Sequence, residues 1–370
     1  SIENTETTGY GRDFGICYLF GGGNKVEGQR SEIIIKGGQC DTVFAGGNSA
    51  SVAAANLTVQ CSLASGSGNT FGSTYSNAIQ STDGNTIVPK ADYGWNGFDG
   101  IYNVRTLFGG NNRAAMNIVP DITLTSGSIG TAYGGGNAGD MMGHVAGQIQ
   151  IDGENEDFEY SFNYGTYVEM NSNSVIVDYI YGGCQMSNVA YSTFTEIKLG
   201  NVGTVYGGCN ISGDVGSIRV DMNSTSPSID YQTVKGATYV SVSGGVVYKN
   251  LFAGSNGYYH CNNRKYYIAG INYGYPERDY VGMRIPTNNE THVIVNNGAT
   301  IKGDVYAGGN LANVGFINES VDYDDNHDEI QPKFVGLASV RMTGGLVEGN
   351  VYGGGNIASV GIADEPDPAP

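Results

Sequence analysis

The chain contains 370 residues, of which 59 are Gly, and its 18 basic and 36 acidic residues give a net charge of −18. Nucleic acids and anionic membrane surfaces both attract clustered basic residues, so this charge argues against either kind of partner. No apolar run approaches the roughly 18 residues of a membrane-spanning helix, so we expect no membrane span.

One short motif recurs nine times along the chain and defines a repeat. It consists of an aliphatic residue or Ala, an aromatic residue, Gly or Ala, Gly, a small residue and Asn. Its aromatic members are Phe20, Phe44, Phe108, Tyr133, Tyr181, Tyr206, Phe252, Tyr306 and Tyr352. The shortest spacings between them are 24 and 25 residues, so longer spacings are one unit plus an insertion. The third copy, ending at Asn111, reads as a shortened motif.

Each unit contains three short strand-like segments in a fixed order. The first is rich in β-branched residues, as at 33–35, and ends in a glycine turn. The second leads into the aromatic motif, whose glycines are expected to supply a corner with positive φ. The third surrounds a single Val; its candidates are Val52, Val145, Val189, Val215, Val314 and Val360. No segment shows a sustained apolar period of 3.6 residues, so we expect very little helix.

Three short strands per unit predict an all-β fold, a single-domain parallel β-helix of about nine coils. Stacking at the strand spacing of about 4.8 Å would place the aromatic residues in one column and the motif Asn residues in a hydrogen-bonded ladder. A right-handed coil is expected because parallel crossovers are right-handed. A propeller is disfavoured, since its blades need about 40–50 residues.

The predicted domain organisation is one continuous solenoid. Residues 1–14 form a lead-in or cap, residues 15–360 the coils, and residues 361–370 a polar tail. The predicted insertions lie at 53–104, 152–172, 221–237, 257–291 and 315–337. Most would emerge along one side of the rod, and insertions on one side of a repeat protein often form its binding face.

On these nine motifs, which extend from Leu19 to Asn356, the chain resembles secreted bacterial right-handed parallel β-helix proteins of the pectin-lyase-like type. More narrowly, it resembles surface proteins with Val-Tyr-Gly-Gly-Gly-Asn coils, the sequence found at 351–356. The resemblance implies a bacterial protein that is secreted or held at the cell surface. It implies no single activity, because the fold hosts lyases, glycosidases and non-catalytic adhesins.

The candidate ligand-binding residues are aromatic and lie in two insertions. They are Trp95, Tyr258, Tyr259, Tyr266 and Tyr267. Flat aromatic side chains with a polar group suit sugar rings or a protein partner, and the negative charge favours a neutral glycan. The alternative is that these side chains only pack the insertions against the rod.

Asp152, Glu196 and Asp221 are the candidate catalytic residues if the protein is an enzyme. The two Asp residues would lie on the order of 10 Å apart with Glu196 on the coil between, whereas glycosidase carboxylates are about 5–9.5 Å apart. Such carboxylates also serve solubility. Basic groups, which lyases need to stabilise an anion, are scarce. We therefore predict a non-catalytic adhesin-like or glycan-binding scaffold, with a polysaccharide-degrading glycoside hydrolase or lyase as the alternative.

An acidic run at residues 322–329 is the candidate metal site. Its ligands for Ca²⁺ would be Asp322, Asp324, Asp325 and Asp328. His327 stands where the corresponding Ca²⁺-binding loop requires Gly, which favours a solvated acidic loop and no cofactor.

Two cysteine pairs lie about one repeat apart. Cys184 and Cys209 share a motif position, and Cys17 and Cys40 are nearly equivalent. Stacking would separate each pair by about 5 Å at Cα, inside the disulfide range of about 4.4–6.8 Å. In-register side chains run parallel, however, and a buried thiol packs well. We expect Cys184 and Cys209 to be free thiols.

Overall fold

The computed structural model describes residues 16–61, 79–80, 86–87, 102–151, 158–220, 230–233, 236–257, 290–317, 334–358 and 360. Within these ranges the chain forms 24 strands joined by turns and bends, and it forms no helix. Eighteen strands belong to one large sheet, and six form three two-stranded hairpins. The described part of the chain therefore agrees with the predicted all-β class.

The first twelve strands are β1 (Ile16–Phe20), β2 (Ser31–Ile35), β3 (Cys40–Phe44), β4 (Ala55–Gln60), β5 (Ile79–Gln80), β6 (Thr86–Ile87), β7 (Val104–Phe108), β8 (Asp121–Tyr133), β9 (Val145–Ile151), β10 (Phe158–Tyr181), β11 (Ser192–Tyr206) and β12 (Ser217–Val220). The others are β13 (Asp230–Thr233), β14 (Ala237–Val242), β15 (Val246–Val247), β16 (Leu251–Phe252), β17 (Glu290–Val295), β18 (Thr300–Ile301), β19 (Val305–Tyr306), β20 (Phe316–Ile317), β21 (Phe334–Val335), β22 (Leu337–Met342), β23 (Leu346–Val347) and β24 (Val351–Tyr352).

Strands of one repeat pair in parallel with the equivalent strands of the next repeat. The first segments pair in the order β2, β4, β8, β10, β11, β14, β17 and β22. The aromatic segments pair in the same way, from β1 through β3 and β7 to β24. We call the strands of one repeat a layer. This layer-on-layer pairing fits a solenoid, and in the described part of the large sheet only β9 pairs antiparallel, with β10.

The nine motif aromatic residues form one column, as the repeat predicts. Neighbouring ring centroids are 4.7–5.0 Å apart and their planes differ by 3–12° from Phe20 to Tyr352. Beside the column, aliphatic side chains from every layer form a continuous core. Each layer therefore buries its inner face against its neighbours, which a single repeat cannot do alone.

The motif asparagines form the predicted ladder, with one correction and one interruption. Asn112, and not Asn111, is the ladder member of the third copy: its Nδ2 donates to Asn48 Oδ1 at 2.7 Å. Asn111 instead takes the place of the small residue, and its Oδ1 accepts from Gly47 N at 2.8 Å. The third copy is therefore full length. The ladder is interrupted at Gln185, where Asn137 Oδ1 is buried without a hydrogen-bond partner.

The motif glycines do not supply the predicted corner with positive φ. Positive φ occurs instead at the turn after the first strand segment, for example at Gly200 (112°) and Gly245 (73°), and near the third segment, for example at Gly213 (108°) and Gly315 (128°). The motif glycines are required because layers approach closely: a Cβ added at Gly308 would lie 2.7 Å from Gly355 N. The prediction of positive φ was wrong because a glycine that allows a corner and a glycine that allows two backbones to approach closely look the same in the sequence of one repeat.

The third segment of the fourth repeat is centred on Met141, and not on Val145. Met141 bridges in parallel to Met116 and Val189 and is fully buried. Val145 begins β9 and is 46% exposed. The flexible Met side chain can fill the buried position of the third segment. A sequence pattern that requires Val at this position therefore does not identify Met141.

The structure places core strands inside two of the ranges that the sequence predicts as insertions. β4 is a core strand inside the predicted range 53–104, and β10 enters the core inside 152–172 at Thr166. Antiparallel pairing joins 145–151 to 158–164 (β9 and β10), 217–220 to 230–233 (β12 and β13) and 316–317 to 334–335 (β20 and β21). Residues 258–289 lie outside the described part.

Candidate functional site

Glu196 is the one sequence-predicted site residue that the described ranges contain. Asp152, Asp221, Trp95, Tyr258, Tyr259, Tyr266, Tyr267, Asp322, Asp324, Asp325 and Asp328 all lie outside them. The geometry around Glu196 therefore decides which site can be built from the described residues.

Glu196 faces outward from the sheet beside a second carboxylate. On β11 the buried Thr195 and Ile197 flank it, as strand alternation requires. Glu169 on β10 is its direct partner across the parallel pair. We call Glu169 and Glu196 the carboxylate pair. Their side chains are only 16% and 23% exposed, so both are largely withdrawn from solvent.

Two donors hold the carboxylate pair together. The Tyr167 hydroxyl lies 2.5 Å from Glu196 Oε2 and 3.1 Å from Glu169 Oε2. Lys198 Nζ lies 3.2 Å from an oxygen of each carboxylate. Like charges directly opposite each other on neighbouring strands repel, so the lysine offsets a cost that the register imposes.

The pKa values of Tyr167 and Lys198 are both raised, which keeps each side chain protonated and able to donate a hydrogen bond. Burial, and then the hydrogen bond to Glu196, raise the pKa of Tyr167 well above its usual range. Burial lowers the pKa of Lys198, but the two neighbouring carboxylates outweigh it and the net shift is upward. At neutral pH the hydroxyl therefore keeps its proton and the ammonium keeps its charge.

An aromatic cluster adjoins the carboxylate pair on the same outward face. The hairpin β9–β10 folds across the sheet, where Phe162 stacks on Tyr239 at 4.0 Å and meets Phe194 edge-on at 5.4 Å. Tyr164 and Tyr167 contact Phe194 at 5.9 and 5.3 Å. These rings are buried or half-buried. In this insertion the aromatic side chains pack the hairpin onto the sheet, the alternative left open by the sequence.

The row of outward side chains continues beyond the cluster. His292 stacks on Tyr239 at 4.9 Å and is 3% exposed. Its Nδ1 lies 2.7 Å from Ser339 Oγ, and its Nε2 lies 3.4 Å from Glu290 Oε2. The outward face thus combines a carboxylate pair, aromatic rings and a histidine along five consecutive strands.

Chemically, the carboxylate pair is arranged to accept hydrogen bonds. Tyr167 and Lys198 both donate to it. A glycosidase needs one carboxyl as an acid and one as a nucleophile or base. The sequence does not single out Glu169, because it falls within the range 152–172 that is predicted to be an insertion. The signal that identifies it is the alternation of Thr166, Val168 and Met170 as inward residues.

No group of three or more His, Cys, Asp or Glu in the described ranges is arranged to hold a metal ion. Within the same ranges, no helix has the length and hydropathy that a membrane span requires.

Cys184 and Cys209 are free thiols, as predicted. Cys184 N donates to Cys209 Sγ at 3.3 Å, and the thiol pairing with Cys184, followed by burial, raises the pKa of Cys209. Cys17 and Cys40 are not register partners, because Cys40 lies opposite Ile16. Burial, followed by Asp41, raises the pKa of Cys40 to about 11.

Comparison of the chain with protein-family models, curated proteins and solved structures gives no match.

Proposed function

We propose that this chain is a non-catalytic, adhesin-like or glycan-binding scaffold of a bacterial cell surface or secreted fraction, built as a right-handed parallel β-helix of the pectin-lyase-like type. The observation that carries the proposal is that Lys198 and Tyr167 both contact each member of the carboxylate pair. Carboxylates held together by two shared donors are typical of a stable surface and not of a proton-transfer site.

The layer architecture supports a scaffold in the same way. The parallel pairing, the aromatic column and the asparagine ladder are the features that a β-helix requires, and they recur with little variation from the first layer to the last. We therefore expect the insertions, and not the stacked strands, to contact the ligand. We assign them to Trp95, Tyr258, Tyr259, Tyr266 and Tyr267, with a neutral glycan as the ligand or a surface protein as the partner.

The alternative function is a glycoside hydrolase or lyase. One observation favours it: Glu169 and Glu196 face the same side from adjacent strands, at a separation that the strand spacing of about 4.8 Å sets close to that of retaining glycosidases. Lys198 beside them is a cation of the kind that a lyase uses to stabilise an anion. The experiment below separates the two functions.

A glycan array and a reducing-sugar release assay, run on the same preparation, test the proposal. We expect binding to neutral glycans without release of sugar. Trp95→Ala and Tyr258→Ala should weaken binding at least about tenfold, because each removes a stacking surface. Glu169→Gln and Glu196→Gln should leave binding unchanged. Glu32→Gln, on an exposed position of β2, is the matched control.

Two results would overturn the proposal. Sugar release that is lost in Glu196→Gln and kept in Glu32→Gln would establish the enzyme. Glycan binding that survives both aromatic substitutions would show that those side chains only pack their insertions. Circular dichroism of each variant checks that the strand content is unchanged.

A further inference from the structure

The described residues contain two Asn-Gly dipeptides in different surroundings. Asn256-Gly257 closes an aromatic motif, and Asn297-Gly298 lies in the turn between β17 and β18. Both glycines have a positive φ, 88° at Gly257 and 92° at Gly298. A third Asn-Gly, at 96–97, lies outside the described residues. The two described dipeptides thus share a sequence and a similar glycine φ, so their reactivities can be compared directly.

An Asn followed by Gly can lose its side-chain amide by reaction with its own backbone, and Asn is a thermolabile residue for such reasons. The glycine nitrogen adds to the side-chain carbon Cγ, and the Cγ–Nδ2 bond breaks. The proton of the glycine N–H passes through solvent to the departing ammonia. Water then opens the five-membered imide at either carbonyl, which gives aspartate or isoaspartate. Glycine favours the attack because no Cβ shields its nitrogen.

At Asn256 the asparagine ladder opposes this reaction. Asn256 Nδ2 donates to Asn210 Oδ1 and Asn256 Oδ1 accepts from Asn310 Nδ2, both at 2.9 Å. Gly257 is buried, and its N–H donates to Asn210 O at 2.7 Å. The side-chain amide is therefore fixed, and the proton that must leave is already bonded. Attack at this site requires local opening of the layers.

At Asn297 neither restraint is present. Asn297 and Gly298 are both exposed. Among the residues that the structure describes, none forms a hydrogen bond with the Asn297 side chain or with the Gly298 N–H. One long hydrogen bond closes the turn, from Ala299 N to Asn296 O at 3.3 Å. The amide is therefore free to turn toward the glycine nitrogen, and water has access to both groups.

The stacking of the layers explains why this turn is exposed. The strand register on both sides of it leaves four residues in the turn 296–299, whereas the stacked turns 243–245 and 343–345 have three each. The turn is thus one residue longer than its neighbours and cannot repeat their conformation. The additional residue places Asn297 and Gly298 outside the paired strands, where no ladder holds them.

We propose that Asn297 is a site of spontaneous deamidation, in which Gly298 N attacks Asn297 Cγ and water completes the hydrolysis, while the ladder protects Asn256. The product carries a new negative charge on an exposed turn. Isoaspartate also adds a side-chain carbon to the backbone path. Because the turn lies outside the paired strands, β17 and β18 keep their register. The inference does not depend on which ligand the protein binds.

Ageing of the full chain at neutral pH, followed by trypsin digestion and tandem mass spectrometry, measures both sites in one sample. The tryptic peptides 250–264 and 285–302 carry Asn256 and Asn297. We expect deamidation at Asn297 to be at least about tenfold faster than at Asn256, which reacts only through local opening. In urea at an unfolding concentration the two rates should become similar. Equal rates in the folded protein, or a difference that persists in urea, would refute the proposal.

Two variants of neighbouring residues assign the signal within peptide 285–302. Asn297→Ser should abolish the deamidation of this peptide. Asn296→Ser, the matched control, removes an asparagine that no glycine follows and whose Oδ1 accepts from Thr343 Oγ1 at 2.7 Å, and it should leave the deamidation in place. Deamidation that survives Asn297→Ser would overturn the assignment. Circular dichroism of the aged protein should show unchanged strand content, and a loss of strand would contradict the retained register.

Discussion

Gln185→Asn should stabilise the protein by completing the asparagine ladder. Asn137 donates to Asn112 at 2.8 Å, which directs its own Oδ1 toward the layer of Gln185, where that atom is buried and unpaired. A buried polar atom without a partner costs about 1–3 kcal/mol. The Gln side chain is one methylene too long to repeat the geometry of its neighbours. The shorter amide would donate to Asn137 and accept from Asn210.

The expected gain is about 1–2 kcal/mol in the free energy of unfolding, less than the full cost because fixing the new side chain in one rotamer opposes it. Asn210 now donates to the Tyr133 hydroxyl at 2.7 Å, and its amide has a second N–H with which to keep that bond. Urea denaturation followed by circular dichroism measures the change as a shift of the midpoint at constant slope.

Two further substitutions test whether the added amide in the ladder is the cause of the stabilisation. Gln185→Ala removes the side chain without adding an amide, and it should not stabilise. Asn310→Gln makes the reverse change in an intact part of the ladder, where Asn310 bonds to Asn256 and Asn356 at 2.9 Å, and it should cost about as much as the first change gains. An unchanged or lower midpoint for Gln185→Asn would refute the idea that the interruption is a defect in the ladder.

Further substitutions test the column, the carboxylate pair and the thiols. Phe108→Ala should destabilise by about 3–5 kcal/mol, because the ring is buried and stacked on both sides, whereas Tyr352→Ala at the exposed end should cost about 1 kcal/mol by the same urea assay. Lys198→Met should cost about 1 kcal/mol and less in 1 M salt, since it leaves the carboxylate pair without its cation at a partly exposed site; a loss independent of salt would contradict this. Cys184 and Cys209 should resist a thiol reagent in the native protein and react after denaturation, and blocked thiols in the denatured protein would contradict the free state.

The sequence predicts the features that stacking repeats at a fixed spacing. The nine aromatic residues and most ladder asparagines are identical or similar in every unit, so their alignment in the sequence is also their alignment in space. Contacts of this kind can be predicted from one repeat because the partner of each residue is the same residue one layer away.

Features that break the repeat could not be predicted in this way. Met141 replaces the expected Val, and the core strand that carries Glu169 resumes inside the range 152–172 that the repeat spacing assigns to an insertion. The close approach at the motif glycines depends on two layers at once. The register of a strand is set by the two layers that pair. When the length of an insertion is uncertain, the outward positions of the strand that follows it cannot be assigned from the sequence.

The stacking geometry also limits how charge is placed on the strands. Equivalent residues of neighbouring layers are about 4.8 Å apart, so a charge repeated on the stack opposes itself. The carboxylate pair shows the consequence, because Lys198 and the Tyr167 hydroxyl both lie beside the two adjacent Glu residues. A layered protein with many acidic residues therefore tolerates like charges on neighbouring layers where donors of this kind adjoin them.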